Sequence, residues 1–237
     1  MKSDEFLKCV KNIGINSLKG KYVLMERPIQ QKFKNLKING LGFDIQQYEI
    51  IGVGNLSMMS CNSPFFQMLT YIITPYYKDI PLFSSDFILK GDKHDVINEI
   101  YSTVYNKDDE IYKEYIEKIK DNMNSCKLTD NENKSSWYDE WRPTFVNKTG
   151  SEADDEIIVN LFKRNIELLI ELEQKSKFID NVDTRVEKHK VITQYVNNLV
   201  EKGGISTDMF KAVIGADETK KLFNTILFGN DCFKPFY

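Results

Sequence analysis

The feature that most constrains the fold is a set of three β-type runs joined by short turns. The runs cover residues 43–59, 65–73 and 82–89, and they are rich in β-branched and aromatic residues. Turn signals separate them at Cys61–Pro64 and at Pro75–Pro81. Neighbouring strands with such short connections pair antiparallel, so the sequence predicts a meander of three adjacent strands.

Two glycines, Gly52 and Gly54, lie inside the first of these runs. Glycine within a strand pattern indicates a bulge, or a close approach of another group to the backbone. The Gly-Val-Gly segment does not continue into G-x-G-x-x-G, and no helical pattern follows it directly. A dinucleotide-binding site is therefore not expected here.

The rest of the chain carries apolar residues at helical spacing. Asp92 is the predicted N-cap of the first helix, and Ser151 with Asp154 forms a predicted capping box. The predicted helices cover residues 93–105, 108–120, 151–172, 183–200, 208–214 and 216–228. Strands followed by segregated helices indicate an α+β fold, and we expect a three-layer α/β/α sandwich around a central antiparallel β-sheet. We expect one domain over residues 1–237, sheet-rich over 37–90 and helix-rich over 92–230.

Composition excludes several functional classes. The chain has 237 residues, 41% hydrophobic and 28% charged, which is typical of a globular protein. Its net charge of −3 argues against nucleic-acid binding, which needs a basic surface. The absence of an 18-residue apolar run predicts no membrane span, and no signal peptide is evident. Without heptads or a strong edge-strand pattern, we expect a monomer.

The cysteine and histidine content argues against a metal site. The four cysteines are scattered without a C-x-x-C pair, which predicts free thiols in a reducing compartment. We therefore expect a cytoplasmic protein, or a protein of the plastid stroma if a transit peptide has been removed. His94 follows a charged turn and His189 lies between lysines, so both are expected at the surface.

Asp86 is an unusual residue for its position, because aspartate is a poor strand former. The period of two places Leu82, Ser84, Asp86 and Ile88 on one face of the strand. On the preceding strand, Thr70 is the polar centre of a similarly apolar face. Two interpretations follow. Asp86 hydrogen-bonds a loop amide or lies at a wet sheet edge, or it lies in an apolar pocket that raises its pKa and makes it a proton donor.

The segment ITPYYKDIPLFSSDFI, residues 73–88, resembles the core signature of the ferredoxin-dependent bilin reductases. The segment IGADETKKLFNTILFGND, residues 214–231, is similar to that family's terminal helix, and Trp137 lies about where members often carry a tryptophan. The resemblance spans Lys37 to Asn230. It implies an α/β/α sandwich that holds a tetrapyrrole between the sheet and the C-terminal helices, with no bound metal or organic cofactor.

The resemblance also implies a reaction and a set of site residues. Reduced ferredoxin supplies electrons one at a time in a radical mechanism of phycobilin biosynthesis, and Asp86 stands at the family's proton-donor aspartate. Thr70 replaces the usual His or Asn, and Met58, or a neighbour if the gap is misplaced, replaces a glutamate. Ser84 is a further candidate for substrate contact. Lys134 and Arg142 are the candidate partners of the propionate carboxylates.

The sequence therefore predicts ferredoxin-dependent reduction of biliverdin or a related open-chain tetrapyrrole. The family's second proton donor, near the penultimate helix, is replaced by KGGIS. The alternative is a non-catalytic tetrapyrrole-binding protein that has lost the reductase donors. A helix-rich interaction module with a chance match to the signature is the third interpretation.

Overall fold

The computed structural model describes residues 3–235, which form nine strands and seven α-helices. The strands are β1 Leu24–Glu26, β2 Leu36–Ile38, β3 Leu41–Ile50, β4 Gly54–Asn62, β5 Gln67–Pro75, β6 Leu82–Lys90, β7 Lys93–Tyr101, β8 Thr129–Asp130 and β9 Thr144–Gly150. The helices are α1 Ser3–Lys19, α2 Gln31–Lys34, α3 Glu110–Ser125, α4 Asp155–Lys175, α5 Val182–Lys202, α6 Ile205–Ile214 and α7 Ala216–Leu222. A π-helical turn, Phe223–Leu227, continues α7.

All nine strands belong to one antiparallel sheet with the order β1-β3-β4-β5-β6-β7-β9-β8, and β2 pairs with β3. Strands β3 to β7 are consecutive in both sequence and space, so the predicted meander is confirmed and is longer than expected. The central strand β5 is buried along nearly its whole length, because helices cover both faces of the sheet.

Two apolar cores lie on opposite faces of the sheet. One core packs under α1, α3 and α4, and the other packs under α5, α6, α7 and the π-helical turn. The predicted three-layer α+β sandwich is therefore confirmed. The predicted capping box is also present, since the Asp154 carboxylate accepts hydrogen bonds from the Ser151 backbone N–H and hydroxyl.

The helix predicted over residues 93–105 is wrong. Lys93–Tyr101 forms strand β7, which pairs with β6 through a tight turn at Gly91 and Asp92. Gly91 has a φ of +58°, in the left-handed region that glycine adopts readily. The apolar residues of this segment fit both periods, and pairing with β6 on one side and β9 on the other decides for a strand. The helix-rich region thus contributes three strands to the sheet.

The first predicted strand, 43–59, is a hairpin rather than one strand. Strands β3 and β4 pair with each other, and Gly52, with φ of +81°, lies in the turn between them. A close approach of the backbone of β5 explains why residue 54 is a glycine, because a Cβ there would lie 2.2 Å from the Thr74 carbonyl oxygen. The expected close backbone approach is therefore present, and the expected bulge is replaced by a turn.

Helix α1 was not predicted from the sequence. Its buried residues Phe6, Val10 and Leu18 follow helical spacing and pack into the core beneath α4. Gly14 faces the sheet, where a Cβ would lie 2.6 Å from the Tyr71 ring. Glycine therefore lets α1 approach β5. Across the described part of the chain, every helix is too short or too polar to span a lipid bilayer.

A fully buried lysine fixes α5 against the ends of the sheet. The Lys188 ammonium group donates to the carbonyl oxygens of Ile80 and Thr103, both at 2.7 Å, and lies 3.5 Å from the Asp79 carboxylate. Burial lowers the pKa of Lys188 to about 8, and Asp79 opposes that shift. The three oxygen partners keep a lysine acceptable on the core-facing side of the helix.

Candidate active site

Strand β6 presents alternate residues to the two layers, as its sequence predicts. Phe83, Phe87 and Leu89 belong to the core beneath α4, whereas Leu82 and Ile88 face α5 to α7. Ser84 and Asp86 share this second face and line a pocket there. The carboxyl group thus points into a pocket beneath the C-terminal helices rather than into water at an edge of the sheet.

The strand register places Asp86 in a short row of neighbours. Met59 of β4 lies opposite Thr70 of β5, Thr70 lies opposite Asp86, and Asp86 lies opposite Ile97 of β7. The Thr70 hydroxyl donates a hydrogen bond to Asp86 Oδ1 at 2.5 Å. The two polar residues of the predicted pocket floor therefore interact directly.

The pocket lies between the sheet and the C-terminal helices. Its floor includes Met59, Ile72 and Leu82 beside the polar residues, and its roof includes Tyr195 of α5, Phe210 of α6 and Phe223 of the π-helical turn. The cavity volume is about 120 Å³. Ligand pockets commonly measure roughly 300–1,000 Å³, so a large ligand requires the roof to move outward.

The pKa of Asp86 is raised from 3.8 to about 7. Burial among apolar side chains is the main cause, because it disfavours the charged carboxylate. The hydrogen bond from Thr70 opposes the shift, and the nearby Glu99 carboxylate adds to it. A substantial fraction of Asp86 is therefore protonated near neutral pH, as a proton donor requires.

Glu99 lies on the neighbouring strand β7, directly opposite Ser84. Its carboxylate accepts from Arg142 Nη1 at 2.6 Å, and Arg142 Nη2 donates to Asp139 at 2.5 Å. The Arg142 guanidinium also lies over the Phe145 ring, 3.5 Å from its centre. Arg142 therefore lies beside the site with two carboxylate partners, and it is not among the residues lining the pocket.

Two tyrosines form the side of the pocket next to Glu99. The rings of Tyr101 and Tyr195 lie 4.7 Å apart, and burial raises the pKa of each hydroxyl well above 10.0. The Tyr195 ring contacts Trp137, whose Nε1 donates to the Gly203 carbonyl oxygen at 2.8 Å. Trp137 thus supports the junction between α5 and α6. Sequence reasoning missed both tyrosines, because their contact depends on how α5 packs.

Besides Arg142, two further predicted site residues do not line the pocket. Met58 is buried in the core on the opposite face, and its neighbour Met59 faces the pocket instead. The one-residue offset matters because successive strand residues point in opposite directions. Lys134 is exposed in the loop after β8 and is not among the pocket residues. Thr70, Ser84 and Asp86 are brought together as expected.

The expected surface position is wrong for His94. His94 is 3% exposed, and its Nδ1 lies 2.5 Å from an Asp155 carboxylate oxygen at the start of α4. His94 is buried because its segment is a strand covered by α1 and α4, rather than the first turn of a helix. His189 is partly buried, and its Nε2 lies 2.9 Å from the Asn230 carbonyl oxygen.

Comparison with solved structures identifies the fold. No family model and no curated protein matches the sequence. The chain is similar to tomato phytochromobilin synthase in complex with biliverdin, with a TM-score of 0.78 and 17% identity over 94% of this chain and 83% of that one. It is also similar to PcyX, with a TM-score of 0.55 and 13% identity over 98% and 99% of the two chains. The similarity to phytochromobilin synthase confirms the resemblance of residues 73–88 at the level of the fold.

Proposed function

We propose that this protein reduces biliverdin or a related open-chain tetrapyrrole, with electrons from reduced ferredoxin. One observation carries the proposal. A carboxyl group whose pKa is raised to about 7 lies in a pocket between the sheet and the C-terminal helices, in the fold of phytochromobilin synthase, whose structure is in complex with biliverdin. The signature in residues 73–88 and the pocket position of Asp86 support the same conclusion.

The reaction needs protons as well as electrons. Reduction of one double bond by two electrons adds two protons to the substrate, and a one-electron donor delivers the electrons through a radical intermediate. Asp86 supplies one of these protons from its neutral form. When a bilin fills the pocket, the apolar side chains of Met59, Ile72 and Phe210 leave little room for water beside it, which limits uncontrolled protonation of the reduced pigment.

Binding of a tetrapyrrole requires expansion of the pocket. Helix α6 is the element best placed to move, because it contributes Phe210 to the roof and lies between glycines. Gly203 and Gly215 have φ values of +79° and +83°, and Gly204 directly precedes the helix. Outward displacement of α6 opens the space between the sheet and α5 without disturbing the meander.

The substrate's propionate groups require cations, for which we propose Lys134 and Arg142. Lys134 is exposed, so it reaches a ligand only if the loop around it closes over the pocket mouth. Arg142 keeps its Glu99 contact while a ligand carboxylate replaces the more exposed Asp139 on Nη2. Arginine suits this exchange because its planar group presents several N–H donors.

A non-catalytic tetrapyrrole-binding protein is the second candidate. Among the described residues that line the pocket, Asp86 contributes the only carboxyl group, with Met59 and Thr70 beside it. A single carboxyl favours either one two-electron reduction or binding alone. Both a reductase and a carrier would bind the pigment, and only the reductase would convert it.

The experiment combines spectroscopy with single-turnover reduction. Purified protein is titrated with biliverdin, and a shifted absorption band shows binding. Anaerobic addition of ferredoxin with a reducing system then converts the bound pigment to a new bilin. Asp86→Asn keeps the binding spectrum and lowers turnover at least about tenfold, as expected for loss of a general acid. Binding without turnover supports the carrier, and no spectral change with biliverdin rejects both.

A further inference from the structure

Thr70 and Asp86 form a directly opposed cross-strand pair at the floor of the pocket. The Thr70 hydroxyl donates to Oδ1 of the carboxyl group at 2.5 Å. Thr70 is 8% exposed and its β-branched side chain has few allowed rotamers, so the hydroxyl is held in place. The contact is therefore a defined hydrogen bond rather than an exposed pair of polar groups.

The neighbouring side chains in the sheet leave Thr70 as the hydrogen-bonding partner of Asp86. Its neighbour across the other strand is Ile97, and Thr70 is itself flanked on its far side by Met59. Among the described residues, Thr70 supplies the side-chain hydrogen bond that the carboxyl group makes within the sheet. One oxygen, Oδ1, is thus engaged by the protein. The other, Oδ2, is left for the pocket.

We propose that Thr70 is a positioning residue that determines which oxygen of Asp86 delivers the proton. By donating to Oδ1, the hydroxyl makes that oxygen the carbonyl oxygen of the neutral acid and leaves the transferable proton on Oδ2. This inference rests on the proposed function for its kinetic consequences. The direction of the hydrogen bond between Thr70 and Asp86 is independent of the proposed function.

The transfer step balances with the electron donor already named. After ferredoxin delivers one electron to the bound bilin, the Oδ2–H bond breaks and a bond to hydrogen forms on the pigment. The bonding electron pair remains on Oδ2, so Asp86 becomes a carboxylate. The Thr70 hydrogen bond strengthens at that moment, because hydrogen bonds to charged acceptors are stronger than those to neutral ones. Thr70 thus stabilises the product of each proton transfer.

Other titratable groups also lie near Asp86. Glu99 on β7 raises the pKa of Asp86, and its own charge is paired with Arg142. Tyr101 of β7 and Tyr195 of α5 also line the pocket. Among the described lining residues, those of α6 and the π-helical turn contribute no acid or base. Thr70 is the group that lowers the pKa of Asp86 by a hydrogen bond.

The test titrates Asp86 without any ligand. Protein labelled with ¹³C-aspartate gives a carboxyl resonance, assigned to Asp86 by its loss in Asp86→Asn. Thr70→Val keeps the shape and removes the donor, so the titration midpoint rises by about one pH unit or more. Thr70→Ser restores the donor and returns the midpoint close to the wild-type value. Ser84→Ala is the matched control, because it removes a pocket hydroxyl on the strand of Asp86 and leaves the midpoint in place.

An unchanged midpoint in Thr70→Val overturns the proposal, and a lowered midpoint shows that Thr70 accepts from Asp86 instead. If the valine variant does not fold, the Asp86 midpoint is measured in Thr70→Ala, for which the same outcomes are expected. With biliverdin and ferredoxin, Thr70→Val lowers kcat about tenfold with little change in KM, and Thr70→Ser recovers most of the loss. Absence of bilin turnover in the wild type rejects the proposed function, while the titration still decides the role of Thr70.

Discussion

Replacing Asp86 by asparagine is expected to stabilise the protein at alkaline pH. The pKa of Asp86 rises from 3.8 to about 7 on folding, so the folded state holds this proton where the unfolded chain has lost it. Between these values the unfolded state binds fewer protons, and stability therefore falls as pH rises. The asparagine side chain carries no charge at any pH and still offers an oxygen to the Thr70 hydroxyl. The stability of the variant therefore does not fall with the ionisation of residue 86.

The size of the effect follows from the shift. An interval from 3.8 to about 7 corresponds to about 4 kcal/mol, at about 1.4 kcal/mol per pH unit. Part of the Asp86 surface faces the pocket, where water lowers the cost of the charge, so we expect a gain of about 2–4 kcal/mol. The gain is full above the folded-state pKa of about 7 and vanishes near the unfolded value of 3.8.

The assay is urea unfolding of wild type and Asp86→Asn, followed by tryptophan fluorescence at about pH 4 and about pH 8. The difference between the two proteins isolates residue 86 from the other titrating groups. Asp44→Asn is the control, because Asp44 is exposed on β3. A variant that is no more stable than wild type at alkaline pH, or whose advantage is the same at both pH values, refutes the burial argument.

Three further predictions concern the supports of the site. Lys188→Met leaves two buried carbonyl oxygens without this donor, removes the cation beside the Asp79 carboxylate, and costs about 3 kcal/mol in urea unfolding; the exposed Lys190→Met should change little. Gly54→Ala places a Cβ 2.2 Å from a backbone oxygen and prevents stable folding, whereas Gly42→Ala, with no atom within 4 Å of its Cβ, yields a folded protein by circular dichroism. Biliverdin binding displaces α6, so amide exchange in residues 205–214 changes on binding while exchange in β5 does not; equal protection of α6 with and without ligand would contradict this mode of entry.

The local pattern of the sequence was sufficient to place the predicted acid. The period of two assigned Ser84 and Asp86 to one face, and short turns required β5 and β6 to be neighbours. That pairing brought Thr70 opposite Asp86. The same rule failed for Met58, because its alignment was uncertain by one residue and a one-residue offset exchanges the two faces of a strand.

Other features depended on partners far along the chain. The segment after Gly91 has apolar residues compatible with either period, and only its pairing with β6 and β9 made it a strand. That outcome buried His94 against Asp155, which is 61 residues away. The sequence contains no local signal for such a contact.

The sequence by itself determined the meander, the three-layer architecture and the face on which Asp86 lies, because these follow from local periodicity and short connections. The tertiary structure decided what that carboxyl group can do. Burial beneath α5, α6 and the π-helical turn raises its pKa, and the Thr70 hydroxyl and the Glu99 carboxylate adjust the shift in opposite directions. An ionisation equilibrium depends on every group around it, so the acidity of Asp86 was decided only when the distant C-terminal helices closed over the sheet.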